Sequence, residues 1–310
     1  MAAPKIDLSV IIPIYNEEMN LVPMNSRVVS ALSPLQLQYE IIYVNDGSKD
    51  RSLPIILGLS EENSSVKYID FSRNFGHQIA ITAGLDLCTG DAAVVIDADL
   101  QDPINVIPRL LECWEETNAD VVLARRKTRN EDSWFRRLVS KTYISLFRRL
   151  SDVELEPNVG EFRLMTRKVV DAFSLMPERE RFVRGMLAWL GFRIAIIDYD
   201  RPARNTGQSS FNLFRLLDLG LKGITAFSIK PLRVATLIGF SIASITSLYA
   251  LVIFSLAISN RTAIPGYASL LIAVLFLGGL QLIFLGVIGE YLGRVSENVK
   301  NRPTYIVKNS

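Results

Sequence analysis

A chain of 310 residues has room for one large catalytic unit with an appendage. Its 34 lysines and arginines against 32 aspartates and glutamates leave a net charge of +2, too little to draw in nucleic acid, so any partner preference must be local. Two cysteines, Cys88 and Cys113, exclude a disulfide framework and are expected as core filler; the single histidine, His77, excludes a multi-histidine metal centre or a histidine-based triad and is expected as a structural residue beside Gly76.

The first seven residues hold no basic segment followed by an apolar run, so no cleaved secretion signal is expected and the amino-terminal part is assigned to the cytoplasm. Short apolar, β-rich runs at residues 8–14, 40–44, 66–71, 92–96 and 120–123 alternate with stretches long enough for helices. Such runs, lacking strict alternation and joined by helical crossovers, predict an α/β fold with a mostly parallel sheet covered on both faces. Ligands of such sheets bind at the carboxyl ends of the strands, which is where the polar motifs fall.

Ile12-Pro13-Ile14-Tyr15-Asn16-Glu17-Glu18 closes the first run and Val44-Asn45-Asp46-Gly47-Ser48-Lys49-Asp50 the second. Each sets a carboxylate at a strand end, placed to accept hydrogen bonds from a uracil or a ribose; taken singly, each is matched by a plain helix cap or turn. The fourth run ends in Asp97-Ala98-Asp99-Leu100-Gln101-Asp102-Pro103, three carboxylates within six residues. Grouping them costs repulsion unless a cation sits there. Asp97 and Asp99, two apart on extended chain, point to one side and suit a hard divalent ion, Mg²⁺ or Mn²⁺, shared with a diphosphate; a solvated acidic turn is the competing reading.

Further along, Arg179-Glu180-Arg181-Phe182-Val183-Arg184-Gly185 with Trp189 follows a proline and is expected as a helix over a sugar site, or as an ordinary amphipathic helix with Phe182, Met186, Leu187 and Leu190 inside. Arg201 and Arg204, in the basic loop 201–210, suit a two-pronged grip on a lipid-linked phosphate, against the alternative of a solvated linker. Segments 133–150 and 211–228 interleave aromatics with arginines or lysine, as suits a membrane surface; contact with a second copy, giving a homo-oligomer, is the competing reading.

Residues 232–259 carry one charge, Arg233 at the edge, and residues 267–289 carry none. Both exceed the ~20 residues a bilayer requires, so a transmembrane hairpin turning at 260–266 is predicted, with a pair of buried helices as the alternative. Lys222, Lys230 and Arg233 precede it and Arg294, Lys300, Arg302 and Lys308 follow it, against Arg261 alone in the turn. That bias puts the catalytic part and both termini in the cytoplasm of a multi-pass protein of the inner (plasma) membrane. The expected division is a catalytic domain at 1–210, an amphipathic juxtamembrane helix at 211–230, the hairpin at 231–290 and a cytoplasmic tail at 291–310.

In their order and spacing the three strand-end motifs resemble the inverting family 2 glycosyltransferases of the GT-A (Rossmann-like) fold, over most of the chain. Ser72-Arg73-Asn74-Phe75-Gly76, Val159-Gly160-Glu161-Phe162-Arg163-Leu164-Met165 and the hairpin narrow the likeness to polyprenyl-phosphate glycosyltransferases, specifically bactoprenol glucosyltransferases of the GtrB kind. The resemblance implies a donor-nucleotide role for Pro13, Tyr15, Glu17, Asp46 and Asp97. It implies a metal on Asp99 with Asp97, Gln101 beside metal or sugar, and a catalytic set of Asp99, Glu161 and Arg163. The family usually carries Asp where Glu161 stands, so this carboxylate reaches one methylene further; Arg163 is expected as an ion-pair or phosphate contact, or else as a structural arginine. The family commonly has Lys where Ser210 stands, which leaves Arg204 more of the acceptor-phosphate load.

The implied reaction moves glucose from UDP-glucose to undecaprenyl phosphate. The acceptor phosphate is already an anion, so alignment matters more than a general base. Mannose, galactose or aminoarabinose as the sugar and dolichyl phosphate as the lipid stay open, as does a non-catalytic nucleotide-sugar-binding module. A processive polysaccharide synthase is disfavoured, because the chain lacks both a Gln-x-x-Arg-Trp signature and further membrane helices.

Overall fold

The computed structural model describes residues 5–127, 156–179, 181–200, 230–258 and 267–309. They fall into two units, one holding the described residues up to 200 together with 302–309, the other holding 230–301.

The first unit is built on strands β1 (Leu8–Ile14), β2 (Tyr39–Asn45), β3 (Val66–Phe71), β4 (Ala92–Val95), β5 (Val121–Arg126), β6 (Val159–Thr166), β7 (Ile194–Tyr199) and β8 (Val307–Asn309). Between them lie helices α1 (Leu21–Leu32), α2 (Ser52–Glu62), α3 (His77–Leu87), α4 (Val106–Thr117), α5 (Arg167–Ser174) and α6 (Val183–Trp189). The strands form one sheet in the order β7-β5-β6-β4-β1-β2-β3-β8. The β1–β2, β1–β4, β2–β3 and β5–β7 pairs are parallel. β6 runs antiparallel between β4 and β5, and β8 antiparallel along the edge of β3. This is the mostly parallel GT-A arrangement, and the five expected strands are all in it. β6, β7 and β8 were not expected as strands: β6 stood only as a motif, and β8 arrives from the far end of the chain.

Both sheet faces are covered because β1 is apolar at nearly every position. Leu8, Val10, Ile12 and Ile14 join Leu21, Met24, Val28 and Leu32 of α1, Ile56 and Leu59 of α2, and Leu110 and Leu111 of α4 in one core. The α1 residues recur at helical spacing, so a single stripe meets the sheet. Ile11 points the other way, where a methyl group on Gly84 of α3 would lie 2.3 Å from its Cγ2; only glycine lets α3 come so close. Each fully buried Ile or Leu stabilises the fold by about 1.5–3 kcal/mol.

The second unit consists of α7 (Lys230–Ile258) and α8 (Tyr267–Val299). The helices touch, with a methyl group on Gly239 falling 3.7 Å from the Phe284 ring, a pairing of early α7 with later α8 that antiparallel helices give. Leu237, Phe240, Leu248, Val274, Phe276 and Leu282 are all exposed, so apolar side chains cover surface that water would penalise. Among the described residues one stretch, Phe276–Val299, is long and apolar enough to cross a membrane. It extends past the expected end at 289, because α8 continues to Val299.

Candidate active site

The chain lays β1, β2 and β3 side by side in one direction and then returns to place β4 on the opposite side of β1. The crevice at the carboxyl ends of β1 and β4 is therefore the point where strand order reverses, the usual ligand position in open α/β sheets. Pro13 is buried in β1 and has no N–H to continue a ladder, and β1–β4 pairing ends at Ile11↔Val95, leaving the two chains to part beyond it.

The first two motifs are stitched into one wall. The Asn16 N–H donates to Ser48 Oγ at 3.0 Å, the Lys49 N–H to Asn16 Oδ1 at 2.8 Å and the Glu17 N–H to Ser52 Oγ at 3.0 Å. Asn16 takes a left-handed φ of 56°, which asparagine tolerates. Tyr15 is 44% exposed at the mouth. Glu17 accepts Asn20 Nδ2 at 2.6 Å; burial raises its pKa, and the neighbouring charges of Asp99, Asp50 and Asp97 push the same way. Asp46 is buried, with Oδ1 accepting the Phe75 N–H at 2.6 Å and Oδ2 the Gly76 N–H at 2.9 Å. Burial outweighs those amides and raises its pKa. Gly47, at φ 65°, lets the β2 loop approach the β3–α3 turn, where a methyl group would lie 2.5 Å from Arg73 C and Asn74 N.

Across the crevice, Asp97 follows β4. Its Oδ1 is buried with no hydrogen-bond partner, although His77 Nε2 lies 3.3 Å away. Burial alone would lower the His77 pKa, but Asp97 prevails and raises it. His77, expected as a structural residue beside Gly76, stands at the crevice and pairs with Asp97, because α3 starts at the carboxyl end of β3. Asp99 Oδ1 accepts the Gln101 N–H at 3.0 Å, and Leu100 between them takes a left-handed φ of 57°, costing about 1–2 kcal/mol in a residue other than glycine.

The expected cluster of three carboxylates is corrected to two. Asp102, 2% exposed, turns away to accept the Tyr199 hydroxyl at 2.6 Å, with Arg126 Nη2 3.6 Å off. It ties the loop to β5 and β7 instead of adding charge to the crevice. Among the described residues no group of three or more His, Cys, Asp or Glu is gathered to hold a metal. Asp97 and Asp99 still fit a hard cation that draws its remaining ligands from phosphate oxygens and water, as Mg²⁺ commonly does, and the buried, unsatisfied Asp97 oxygen is a donor such an ion would use.

Glu161 and Arg163 sit on β6, one strand beyond β4. Glu161, 6% exposed, accepts Arg163 Nη2 at 2.8 Å, Arg184 Nε at 2.9 Å and Gln78 Nε2 at 3.2 Å. Burial alone would raise its pKa, but Arg163 and Arg184 hold it down at about 2, so it carries no proton at neutral pH. Arg163 is buried and gives Nε to Glu161 O and Nη2 to Gly160 O as well as to the carboxylate, an ion-pair partner instead of a phosphate contact. Gln78 Oε1 also accepts the Val183 N–H at 3.0 Å and so fixes the start of α6. On α6, Met186 and Leu187 are buried while Trp189 is 64% exposed. Gln78, Arg126 and Tyr199 were not singled out in the sequence; the signal available was Gln78 beside His77, directly after the Ser72-to-Gly76 motif. Arg201, Arg204, Ser210 and segments 133–150 and 211–228 lie outside the described residues.

The glycosyl transferase family 2 model matches residues 9–173. The chain is 45% identical to the SfII prophage-derived bactoprenol glucosyl transferase of Shigella flexneri over 306 residues, 98% of each protein. It is 43% identical to the prophage bactoprenol glucosyl transferase homolog of Escherichia coli K12 over 302 residues, 97% of this chain and 98% of the relative. Among solved structures, glucosyl-3-phosphoglycerate synthase from Mycobacterium tuberculosis in complex with Mn²⁺, UDP-glucose and phosphoglyceric acid matches 71% of this chain and 78% of its own at 18% identity and a TM-score of 0.46. A family match across more than half the chain, and relatives above 40% identity over nearly all of it, join the crevice geometry in one conclusion: the chain belongs to glycosyl transferase family 2.

Proposed function

We propose that the protein transfers glucose from UDP-glucose to undecaprenyl phosphate, or a closely similar polyprenyl phosphate, with inversion at the anomeric carbon. The observation that carries this reading is the division among the site's carboxylates: Asp97 has His77 beside one oxygen at the switch point, while Glu161 is closed between two guanidiniums that hold its pKa at about 2, too low for it to take a proton from a sugar hydroxyl. A sugar hydroxyl acceptor needs a base; a phosphate acceptor is already an anion and needs alignment. Nearly full-length relatives that are bactoprenol glucosyl transferases support the same donor sugar and lipid.

In this reading Tyr15, Glu17 and Asp46 line the nucleotide end, and Asp97 and Asp99 hold Mg²⁺ or Mn²⁺, with Gln101 beside them. When bound, the ion offsets the negative charge growing on the departing UDP. His77 holds the Asp97 carboxylate in place, and the Glu161–Arg163–Arg184 group fixes β6 to α6 beside the reacting centre. Arg201 and Arg204, with Ser210, are assigned to the acceptor phosphate.

Both α7 and α8 are assigned to the bilayer, with both termini on the cytoplasmic side. The basic residues at their outer ends favour this orientation. So does connectivity: β1–β7 precede the helices and β8 follows them, yet all are strands of one sheet, which fits a chain that leaves and returns on one side of the membrane.

The test supplies purified protein with radiolabelled UDP-glucose, Mg²⁺ and a short polyprenyl phosphate. Label should enter the organic phase, vanish with EDTA and return with Mg²⁺ or Mn²⁺. Label that persists in Asp99→Asn would defeat the metal assignment, and metal-dependent UDP binding without transfer from any nucleotide-sugar would favour a binding module.

A further inference from the structure

The tail after α8 makes a contact that its composition does not explain. β8 is three residues long with every side chain exposed, and Ile306 is exposed too, so the tail buries almost no apolar surface of its own. What it offers is backbone and one ring. Asn309 and Val307 pair with Asp70 and Phe71 of β3, and the Ser72 N–H donates to Ile306 O at 3.0 Å. The Tyr305 ring stacks on Phe71 with centroids 5.2 Å apart and planes 22° from parallel, while its hydroxyl donates to Asp86 Oδ2 at 3.2 Å. The other Asp86 oxygen accepts Ser174 Oγ at 3.1 Å, joining the end of α3 to the end of α5.

Phe71 is the last residue of β3 and leads straight into the turn that holds Asp46. Its ring meets Phe75 edge-on at 5.5 Å, and the Arg73 guanidinium lies over the Phe75 ring at 4.1 Å. Phe75 and Gly76 then give their N–H groups to the two Asp46 oxygens, and Asn74 Nδ2 donates to Asp46 O at 3.1 Å. Gly76, at φ 104°, ends this turn in a backbone conformation that residues with a side chain rarely adopt, and Gly47 of the loop after β2 lies close against Arg73 and Asn74. An edge strand presents unpaired backbone groups, and a strand added along it satisfies them and holds the end from which the next turn leaves.

We propose that the C-terminal segment 303–309 is a clasp for the nucleotide end of the active site: it fills the free edge of β3 and, through Tyr305 stacked on Phe71, sets the β3–α3 turn whose amides orient Asp46. Tyr305 is a positioning residue, acting on the donor through Phe71, Phe75 and Asp46. The inference rests on the reading of Asp46 as a nucleotide-binding carboxylate.

The experiment uses the full chain in detergent, with UDP affinity by calorimetry in Mg²⁺ and steady-state kinetics for each substrate. Tyr305→Ala should weaken UDP binding and raise the UDP-glucose KM about five- to ten-fold, leaving kcat and the polyprenyl phosphate KM within about two-fold. Tyr305→Phe keeps the stack and should restore both donor values. Deleting 303–310 should reproduce the Tyr305→Ala loss, and a synthetic peptide of that sequence added in trans should reverse it. Asp46→Asn separates the two readings: if it weakens UDP binding and Tyr305→Ala does not, the clasp is overturned and the site stands. If neither variant changes UDP affinity, the nucleotide role of Asp46 falls and the clasp falls with it. A Tyr305→Ala defect spread over kcat and both KM values, and not repaired by Tyr305→Phe, marks general support of the fold and also overturns the proposal.

Discussion

At the amino ends of the strands Glu40 is buried, yet it accepts hydrogen bonds from Ser9 Oγ, Thr89 N and Thr89 Oγ1 and pairs with Lys67. At the carboxyl ends one buried oxygen of Asp97 has only His77 Nε2, 3.3 Å away, beside it among the described side chains. Burial alone would raise the Glu40 pKa, but Lys67, Ser9 and Thr89 bring it below the usual range; Glu17, in the crevice, has a single side-chain donor and its pKa is raised. A buried charge that is fully answered belongs to the architecture, and one left short of partners marks a place where a ligand is meant to complete the set. Glu161 shows that position alone does not decide: it lies near the crevice but is answered as thoroughly as Glu40.

The comparison can be broken in four places. Asp99→Asn should cut transfer to polyprenyl phosphate by on the order of 10²–10³-fold while leaving the melting temperature unchanged; a fall in both would move Asp99 into the architectural class. Glu161→Gln should do the reverse, destabilising the protein by about 3–5 kcal/mol because Arg163 stays buried without its counter-charge. Its pH signature has a definite sign. The folded-state pKa of about 2 lies below the value near 4.3 of an unfolded glutamate, so the contribution is full above that value and is lost as pH falls through 2. Melting curves of wild type and Glu161→Gln should therefore converge over that interval and stay apart above it.

Glu40→Gln should cost about 1–3 kcal/mol in chemical denaturation, with kcat unchanged at a temperature where the variant is folded. The smallest effect is expected at Trp189→Ala: an exposed ring should contribute within about 0.5 kcal/mol to stability, and activity in detergent should hold. A loss of kcat there would bring α6 over the sugar after all, and the open region would be larger than the crevice between β1 and β4.

The apolar runs of β1 to β4, the polar breaks after them and the starts of the last two helices could be read directly, because strand burial, turn chemistry and apolar patterning act over a few neighbouring residues, whereas α8 runs on past 289 to Val299. From them came the parallel α/β sheet, the strand-end position of Tyr15, Glu17, Asp46, Asp97 and Asp99, and the separation of a helical pair from the rest. What only the tertiary structure decided was which charge is answered. Asp102 stood in the same run as Asp97 and Asp99, but its oxygen accepts the hydroxyl of Tyr199, 97 residues on. Glu161, expected in the catalytic set, has Arg184 and Gln78 closed on it, and Tyr305 had no legible partner until Phe71 came under its ring. Local sequence sets where a side chain leaves the backbone; its partners come from segments brought near by folding, and for a buried charge those partners determine what it does.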